Sequence, residues 1–247
     1  MRIVAIIPAR YGSTRFPGKP LALIAGKPMV EHVYARASAC AELLGVYVAT
    51  DDERILEVVR GFGGDALMTR PDHTSGTDRI AEAAHKLGLQ DDDIIVNVQG
   101  DQPLFPTSLL SDLVAPFHED RDLSMSTLMY RIRDKGEIEN PNHVKVVTDL
   151  EGFALYFSRH PVPYHREASP AAAYFKHLGF YAYRMSFLTA FSSLPEGRLE
   201  AAEKLEQLRA LENGFRIRVV ETEYDSPEVD TPADVARVEE LISSFLP

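Results

Sequence analysis

The sequence of 247 residues contains one cysteine, Cys40, and no tryptophan. A lone cysteine excludes an internal disulfide and is typical of proteins of the reducing cytosol. No apolar run approaches the roughly 18 residues that a membrane-spanning helix requires, and the N-terminus lacks the charged and apolar regions of a signal peptide. The sequence therefore predicts a cytoplasmic protein without a membrane segment.

Basic residues are also scarce. The chain carries 26 Lys and Arg against 37 Asp and Glu, which gives a net charge of −11. Because nucleic-acid-binding proteins usually present a basic face, this balance argues against a nucleic-acid partner. An acidic protein that binds a polyphosphate must gather its cations in one place and recruit a divalent metal.

Two common phosphate-binding motifs are missing, since neither Gly-x-x-x-x-Gly-Lys-[Ser/Thr] nor Gly-x-Gly-x-x-Gly occurs. Their absence argues against a P-loop NTPase and against an ordinary NAD enzyme.

The apolar run at residues 3–7 predicts a strand buried on both faces of a parallel sheet. The loop after Pro8 carries Arg10, Arg15 and Lys19 and no acidic residue. In open α/β sheets ligands bind beyond the carboxyl ends of the strands, and Arg and Lys donate charge-assisted hydrogen bonds to phosphate. The loop therefore predicts a phosphate site, and the alternative is a solvated surface loop.

Strand and helix patterns continue along the chain and predict an α/β fold with a mainly parallel sheet. We predict further strands at residues 45–50, 65–69, 94–98, 123–130, 143–147, 153–159, 174–183 and 217–220. We predict helices at residues 28–40, 53–61, 199–213 and 232–245, with another beginning near residue 76. The adjacent strands between residues 123 and 185 imply a partly antiparallel region within one domain, 1–247.

Several polar positions interrupt these patterns. Ser75, Gly76 and Thr77 begin a predicted helix, where free N–H groups and hydroxyls suit a phosphate or a base edge, although a plain N-cap explains the same residues. Asp101 follows a central strand, where a carboxylate can hold a divalent cation or merely form a turn. Residues 91–93, three consecutive aspartates, predict a solvated turn.

Two later segments leave alternatives open. Residues 160–173 form a long loop with three prolines and are a candidate lid. His177 interrupts an aromatic strand and is either a structural histidine or part of a site with Lys176, Tyr181 and Arg159.

The motifs, taken in order, resemble those of cytidylyltransferases of the CMP-Kdo synthetase family, where Kdo is 3-deoxy-D-manno-octulosonate. The likeness runs nearly end to end. It rests on Ile-Pro-Ala-Arg-Tyr (7–11), Arg-Phe-Pro-Gly-Lys-Pro (15–20), Val-Ala-Thr-Asp (48–51), Ser-Gly-Thr-Asp-Arg (75–79), Val-Asn-Val-Gln-Gly-Asp (96–101), Ala-Leu-Tyr-Phe-Ser-Arg (154–159), His-Leu-Gly (177–179), Leu-Glu-Gln-Leu-Arg (205–209) and Val-Asp-Thr-Pro (229–232). The first motif alone is shared with sialic-acid and other sugar nucleotidylyltransferases.

The resemblance implies transfer of CMP from CTP to Kdo for lipopolysaccharide synthesis, on a nucleotide-diphospho-sugar transferase fold that forms homodimers. It implies that catalysis depends on Lys19, Arg10, Arg15 and Asp101, and that Mg²⁺ binds Asp101 and Asp230. The residues implied to face the nucleotide are Pro8, Ala9, Arg10, Ser75, Gly76, Thr77, Arg79 and Gln99. Those implied to surround the sugar are Arg159, His177, Tyr181, Glu206 and Gln207.

The chain departs from the usual family pattern at Thr74, Asp78, Gln102 and residues 226–228. These departures are similar to the subgroup that acts on 8-amino-3,8-dideoxy-manno-octulosonate, the 8-amino analogue of Kdo. An ammonium at C8 would favour a nearby carboxylate, for which Glu228 and Glu206 are candidates. A different class of protein, a nucleotide-binding module without activity, would be expected to lack Asp101 or Asp230, and both are present.

Overall fold

The computed structural model describes residues 1–12, 16–73, 75–167 and 173–245. Arg15, predicted to bind the triphosphate, lies outside the described residues, and so does Thr74. The loop predicted over residues 160–173 is described only in part, so its role as a lid stays a prediction. No helix in the described ranges is long and apolar enough to cross a membrane.

The strands alternate with helices along the first hundred residues, as the sequence predicts. In chain order the strands are β1 (Ile3–Ala9), β2 (Leu23–Ile24), β3 (Lys27–Pro28), β4 (Gly45–Thr50), β5 (Asp65–Met68), β6 (Ile94–Asn97), β7 (Met125–Arg131), β8 (Lys145–Thr148), β9 (Ala154–Ser158), β10 (Phe175–Arg184) and β11 (Ile217–Thr222). The helices are α1 (Met29–Ser38), α2 (Glu53–Gly61), α3 (Gly76–Lys86), α4 (Ser108–Val114), α5 (Pro116–Glu119), α6 (Lys135–Glu139), α7 (Met185–Phe191), α8 (Arg198–Glu203), α9 (Gln207–Glu212) and α10 (Pro232–Phe245). A 3₁₀ turn covers Lys19–Leu21.

The main sheet has the strand order β11-β7-β10-β6-β1-β4-β5. Strands β6, β1, β4 and β5 are parallel, whereas β10 runs antiparallel to both β6 and β7. Strand β8 pairs with β10 and with β9, which forms the predicted hairpin. The α/β fold with a small antiparallel region is therefore confirmed.

Strand β1 lies in the interior of the sheet, between β6 and β4, and its side chains are apolar on both faces. Ile3, Ala5, Ile7 and Ala9 pack into the core on one side of the sheet. Val4 and Ile6 pack into the core on the other side. This alternation fixes the register of β1, so the chain leaves the sheet at Pro8 and Ala9 in a defined place.

A smaller apolar cluster lies apart from the two sheet cores and anchors the C-terminal helix. Its buried members are Ile24, Met29, Leu104, Val229, Val238 and Ile242. We call it the C-terminal core. It holds the start of α10, and therefore Asp230, against the segment that follows β6.

Two predictions are wrong in detail. The helix predicted over residues 199–213 is two short helices, α8 and α9, because Lys204 adopts a left-handed conformation with φ of 53°. Residues 91–93 are not wholly solvated, since Asp93 is buried and accepts hydrogen bonds from Arg2 and from the Gln90 amide.

Candidate active site

A cavity of about 350 Å³ opens at the carboxyl ends of β1 and β6 and at the first turn of α3. Its lining contains most of the residues predicted to face a nucleotide, namely Pro8, Ala9, Arg10, Ser75, Gly76, Arg79 and Gln99. Lys19, Asp101, Asp230 and Glu206 also line it. We call this space the first cavity. It lies where ligands bind in open α/β sheets.

Ser75 both caps α3 and lines the first cavity. Its hydroxyl accepts a hydrogen bond from the Asp78 N–H and donates one to the Asp78 carboxylate, each at 3.1 Å. The cap alternative is therefore correct for the Ser75 side chain. Ser75 and Gly76 also line the first cavity at a helix N-terminus, a position where free N–H groups suit an anion.

Arg79 has protein partners that the sequence did not reveal. It is 3% exposed, and its guanidinium donates to Thr69 Oγ1 at 2.5 Å and to Asp51 Oδ2 at 2.9 Å. These bonds fasten the first turn of α3 to the ends of β4 and β5. Arg79 thus shapes the wall of the first cavity as a structural cation, and its role toward a nucleotide stays a prediction.

Lys19, Asp101 and Asp230 meet at the edge of the first cavity. Lys19 Nζ lies 2.7 Å from Asp101 Oδ2 and 3.4 Å from Asp230 Oδ1. The three side chains come from the first loop, the end of β6 and the start of α10, so only the folded chain brings them together. A single cation already touches both carboxylates, which shows that they can share one.

This pair of carboxylates fits Mg²⁺, which proteins often bind through one or two carboxylates together with substrate phosphates. Among the described residues, no group of three or more His, Cys, Asp or Glu side chains is arranged to hold a metal. A divalent cation held by Asp101 and Asp230 would therefore complete its coordination with phosphate oxygens and water.

Three hydrogen bonds tie residues 101–104 to residues 226–229, and we call them the C-terminal clasp. The Val229 N–H donates to the Asp101 carbonyl at 2.9 Å. Ser226 Oγ donates to the Leu104 carbonyl at 3.1 Å, and Gln102 Nε2 donates to Glu228 Oε1 at 3.2 Å. Gln102 and Glu228, two positions at which the chain departs from the usual family pattern, are therefore in contact with each other beside the carboxylates of Asp101 and Asp230.

The electrostatics of Glu228 follow from this position. Withdrawal of its carboxyl group from water, together with the charges of Asp101 and Asp230, raises the pKa of Glu228 to about 7. Glu228 is not among the residues that line either cavity of the site.

A second cavity of about 540 Å³ adjoins the first, between β10 and the short helices α8 and α9. All the residues predicted to surround the sugar line it, namely Arg159, His177, Tyr181, Glu206 and Gln207. The two cavities share Pro8, Gly76, Gln99 and Glu206 in their linings. Thr77, predicted to face the nucleotide, lines the second cavity instead of the first.

Residues that sequence reasoning did not propose also line the second cavity. Among them are Asn97, Met125, Tyr183, Phe187, Phe191, Lys204 and Leu205. Asn97 carried a detectable signal, because it is the one polar residue in the buried strand β6. Its Oδ1 is buried and has no hydrogen-bond partner among the described residues. The aromatic residues of this lining could not be identified from the sequence, because apolar residues occur in the same patterns in a protein core and in a cavity wall.

Burial sets the charge states of the second cavity. It lowers the pKa of His177 to about 3, so this imidazole is neutral at pH 7. His177 Nε2 lies 3.0 Å from Thr127 Oγ1. Burial raises the pKa of Tyr181 and of Tyr183, so both keep their phenolic protons.

Arg159 supplies a permanent positive charge to the second cavity. Its Nε donates to the Glu203 carbonyl at 2.7 Å and its Nη1 to the Pro141 carbonyl at 2.9 Å. Its backbone N–H donates to the Glu203 carboxylate at 2.9 Å. The guanidinium is thus held in place by neutral carbonyls, and its charge can attract a carboxylate in the cavity.

Residues 4–218 match a protein-family model described as Cytidylyltransferase. A 3-deoxy-manno-octulosonate cytidylyltransferase from Desulfatibacillum aliphaticivorans is 55% identical over 242 residues, which cover 98% of this chain and 99% of that protein. An 8-amino-3,8-dideoxy-manno-octulosonate cytidylyltransferase from Shewanella sediminis (strain HAW-EB3) is 54% identical over 236 residues, covering 95% of this chain and 96% of that protein.

Solved structures show the same likeness. A CMP:2-keto-3-deoxy-manno-octonic acid synthetase complexed with CTP superimposes with a TM-score of 0.94 at 47% identity, with 100% of both chains covered. A cytidylyltransferase from Leptospira borgpetersenii superimposes with a TM-score of 0.64 at 18% identity, covering 100% of this chain and 89% of that one. The second match supports the fold alone.

Proposed function

The chain belongs to the cytidylyltransferase family, and from this premise we propose that it transfers CMP from CTP to Kdo and releases pyrophosphate. The observation that carries the proposal is the pair of adjoining cavities. One contains cations and a carboxylate pair at the end of β1, and the other contains Arg159 among polar and aromatic side chains. A nucleotide and a sugar acid bound there would meet where the linings are shared.

The reaction we propose is an in-line displacement. The anomeric hydroxyl of the sugar attacks the α-phosphorus of CTP, and pyrophosphate leaves from the opposite side. Such a reaction depends on positioning and on neutralisation of charge. In this proposal Arg10 and Lys19, which line the first cavity, bind the triphosphate, and Arg159, which lines the second, binds the carboxylate of the sugar acid.

We also propose Mg²⁺ as the cofactor, held by Asp101 and Asp230. When bound, it would neutralise charge on the phosphates and polarise the phosphorus that is attacked. Lys19 keeps the two carboxylates together by offsetting their mutual repulsion. The homodimer, the cytoplasmic location and the place in lipopolysaccharide synthesis are further parts of the proposal, supported by the family resemblance.

The second cavity favours Kdo over its 8-amino analogue as the acceptor. Among the described residues that line this cavity, Glu206 is the one acidic side chain. Glu206 lies where the two cavities meet, and the reacting anomeric carbon, C2, must lie there too. An ammonium at C8, at the opposite end of the sugar, would therefore find no carboxylate in this lining.

The proposal is tested by pyrophosphate release from CTP and Mg²⁺ with Kdo and, in parallel, with its 8-amino analogue. We expect turnover with both cofactor and sugar present, a higher kcat/KM for Kdo, and no release after the metal is removed with EDTA. A higher kcat/KM for the amino sugar would overturn the choice of acceptor. If no pyrophosphate is released with either sugar, the result would favour a nucleotide-binding module without this activity.

Gly100 offers a test of the first cavity. A Cβ at this position would lie 2.9 Å from the Pro8 carbonyl oxygen, which is too close. In Gly100→Ala we expect CTP affinity to fall by about tenfold, since overpacking costs roughly 1–3 kcal/mol and 1.4 kcal/mol is a factor of ten. Isothermal titration with CTP would measure the change.

The matched control for this substitution is Gly61→Ala. A Cβ at Gly61 would meet nothing within 4 Å, and Gly61 ends α2 away from both cavities. We expect this variant to bind CTP as the unsubstituted chain does. Equal CTP affinity in Gly100→Ala and Gly61→Ala would show that the contact between β1 and residue 100 does not shape the nucleotide site.

A further inference from the structure

Glu206 occupies a position that a role in sugar binding alone does not explain. Of the four residues shared by the two cavities, Pro8, Gly76, Gln99 and Glu206, only Glu206 can accept a proton at neutral pH. Gln99 is an amide whose Nε2 donates to the Gly179 carbonyl at 2.9 Å. The junction where nucleotide and sugar meet therefore contains one candidate base.

The carboxylate of Glu206 is held so that one oxygen is engaged and the other is available. Thr77 Oγ1 donates to Glu206 Oε2 at 2.7 Å. Among the described residues, Oε1 accepts no hydrogen bond. The break at Lys204 produces this geometry, because it places Glu206 in the connection between α8 and α9 and turns it toward the first turn of α3.

We propose that Glu206 is the general base of the transfer, an inference that rests on the proposed function. The anomeric hydroxyl gives its proton to Glu206 while its oxygen forms a bond to the α-phosphorus. The bond from the α-phosphorus to the bridging oxygen breaks, and pyrophosphate leaves with that electron pair. Each bond made is matched by one broken, and no further reactant is needed.

Other groups in the second cavity are unsuited to this role. His177 is neutral but weakly basic, because burial lowers its pKa to about 3. Tyr181 and Tyr183 hold their protons at neutral pH. Arg159 and Lys204 are cations. In the first cavity, Asp101 and Asp230 are bridged by Lys19 and serve the metal site.

The surroundings of Glu206 also suit proton transfer. Burial raises the pKa of Glu206, which moves its basicity toward the working pH of a general base. The charges that face it are Asp78 on α3 and Glu200 on α8, which raise the pKa, and Arg209 on α9, which lowers it together with the Thr77 hydrogen bond. Tyr181 and Tyr183 on β10 face it as neutral groups.

The first test is Glu206→Gln, which preserves size and an oxygen that can accept from Thr77 but removes the base. We expect kcat to fall by about 10²- to 10⁴-fold, the usual contribution of general base catalysis. We expect the affinity for CTP, measured by calorimetry, to stay unchanged. The charge-matched control is Glu151→Gln at an exposed pair with Arg216, and it should leave kcat unchanged.

The second test is chemical rescue of Glu206→Ala by formate. The smaller side chain leaves space for an external carboxylate, so kcat should rise with formate in this variant and not in Glu206→Gln. In the unsubstituted enzyme kcat/KM should fall as the pH drops below the pKa of Glu206. This acidic limb should disappear in Glu206→Gln.

Three results would overturn the inference: a kcat in Glu206→Gln close to that of the unsubstituted enzyme, a loss confined to the KM for the sugar, or inactive variants that formate does not rescue. If the unsubstituted enzyme itself releases no pyrophosphate, the proposed function fails instead. The two failures are therefore distinguishable within one set of assays.

Discussion

Asp101→Asn is expected to lower kcat by about 10²- to 10³-fold, the usual cost of removing a preorganised electrostatic group. Asparagine keeps the shape of the side chain and removes the charge that Lys19 Nζ contacts at 2.7 Å. With one carboxylate left, the site should also bind its cation more weakly. The measurement is the Mg²⁺ dependence of pyrophosphate release, together with direct titration of Mn²⁺ into the protein.

The control for Asp101→Asn is Asp72→Asn, which makes the same change at an exposed surface pair with Arg70. It should alter neither kcat nor metal affinity. Asp230→Asn should behave as Asp101→Asn does, and the double variant should lose little more than either single one, because the two carboxylates act as a unit. Unchanged Mn²⁺ affinity in all these variants would contradict the assignment of Asp101 and Asp230 as metal ligands.

Glu200→Gln is expected to lower the free energy of unfolding by about 3 kcal/mol, the lower end of the cost of breaking a buried ion pair. Glu200 is 5% exposed, and its carboxylate accepts two hydrogen bonds from Arg209, at 2.5 and 2.7 Å. Removing its charge leaves a poorly solvated guanidinium without its partner. Urea denaturation at pH 7 would measure the loss.

The same substitution should reach the active site. The Glu200–Arg209 pair joins α8 to α9 across the segment that carries Glu206 and Gln207. Loosening this pair should raise the KM for the sugar while CTP affinity, which depends mainly on other elements, stays close to normal. An equal loss of affinity for the sugar and for CTP would indicate general destabilisation of the protein instead.

The variant Glu196→Gln separates the effect of removing a charge from the effect of burial on the free energy of unfolding. Glu196 pairs with Lys204 at 3.2 Å, with both side chains more than half exposed. Exposed pairs contribute about 0–1 kcal/mol, so this variant should unfold almost as the unsubstituted chain does.

The pH dependence of the Glu200 effect has a definite sign. Burial opposes ionisation of Glu200, but the Arg209 hydrogen bonds outweigh it and lower its pKa. A lowered pKa contributes stability above the pKa of the unfolded chain, and that stability is lost as the pH falls through the folded-state pKa. The difference in the free energy of unfolding between Glu200→Gln and the unsubstituted chain should therefore become smaller on acidification below about pH 4.3, the ordinary pKa of Glu. A difference that grew with acid would contradict this account.

Much of the candidate site could be predicted from the sequence because its residues follow strand ends. Pro8 and Asp101 come after apolar runs whose burial is unambiguous, and the carboxyl ends of parallel strands meet at one edge of a sheet. The resemblance of the motifs then implied which molecules bind there, namely CTP, Kdo and Mg²⁺. The residues that the resemblance implies for the sugar also line a single cavity.

Other features depend on contacts between distant residues, which local patterns do not contain. The predicted apolar face recurs at every third residue through the break at Lys204, so this period hides the break; its members are Leu199, Ala202, Leu205, Leu208 and Leu211. Whether Arg79 contacts a ligand or Asp51 depends on how α3 lies against β4. Likewise the contact between Gln102 and Glu228 joins residues 126 positions apart.

The C-terminal core has a consequence for how the site opens and closes. Asp230 is held by that core and by the C-terminal clasp, whereas Asp101 extends from the central sheet. Regions of a protein open with separate free energies that follow their buried contacts. We therefore expect the C-terminal segment to open at a lower free-energy cost than the two sheet cores, and each such opening would remove one of the two carboxylates proposed to bind Mg²⁺. We expect the fraction of active molecules to follow this local opening equilibrium, which is distinct from the global stability of the chain.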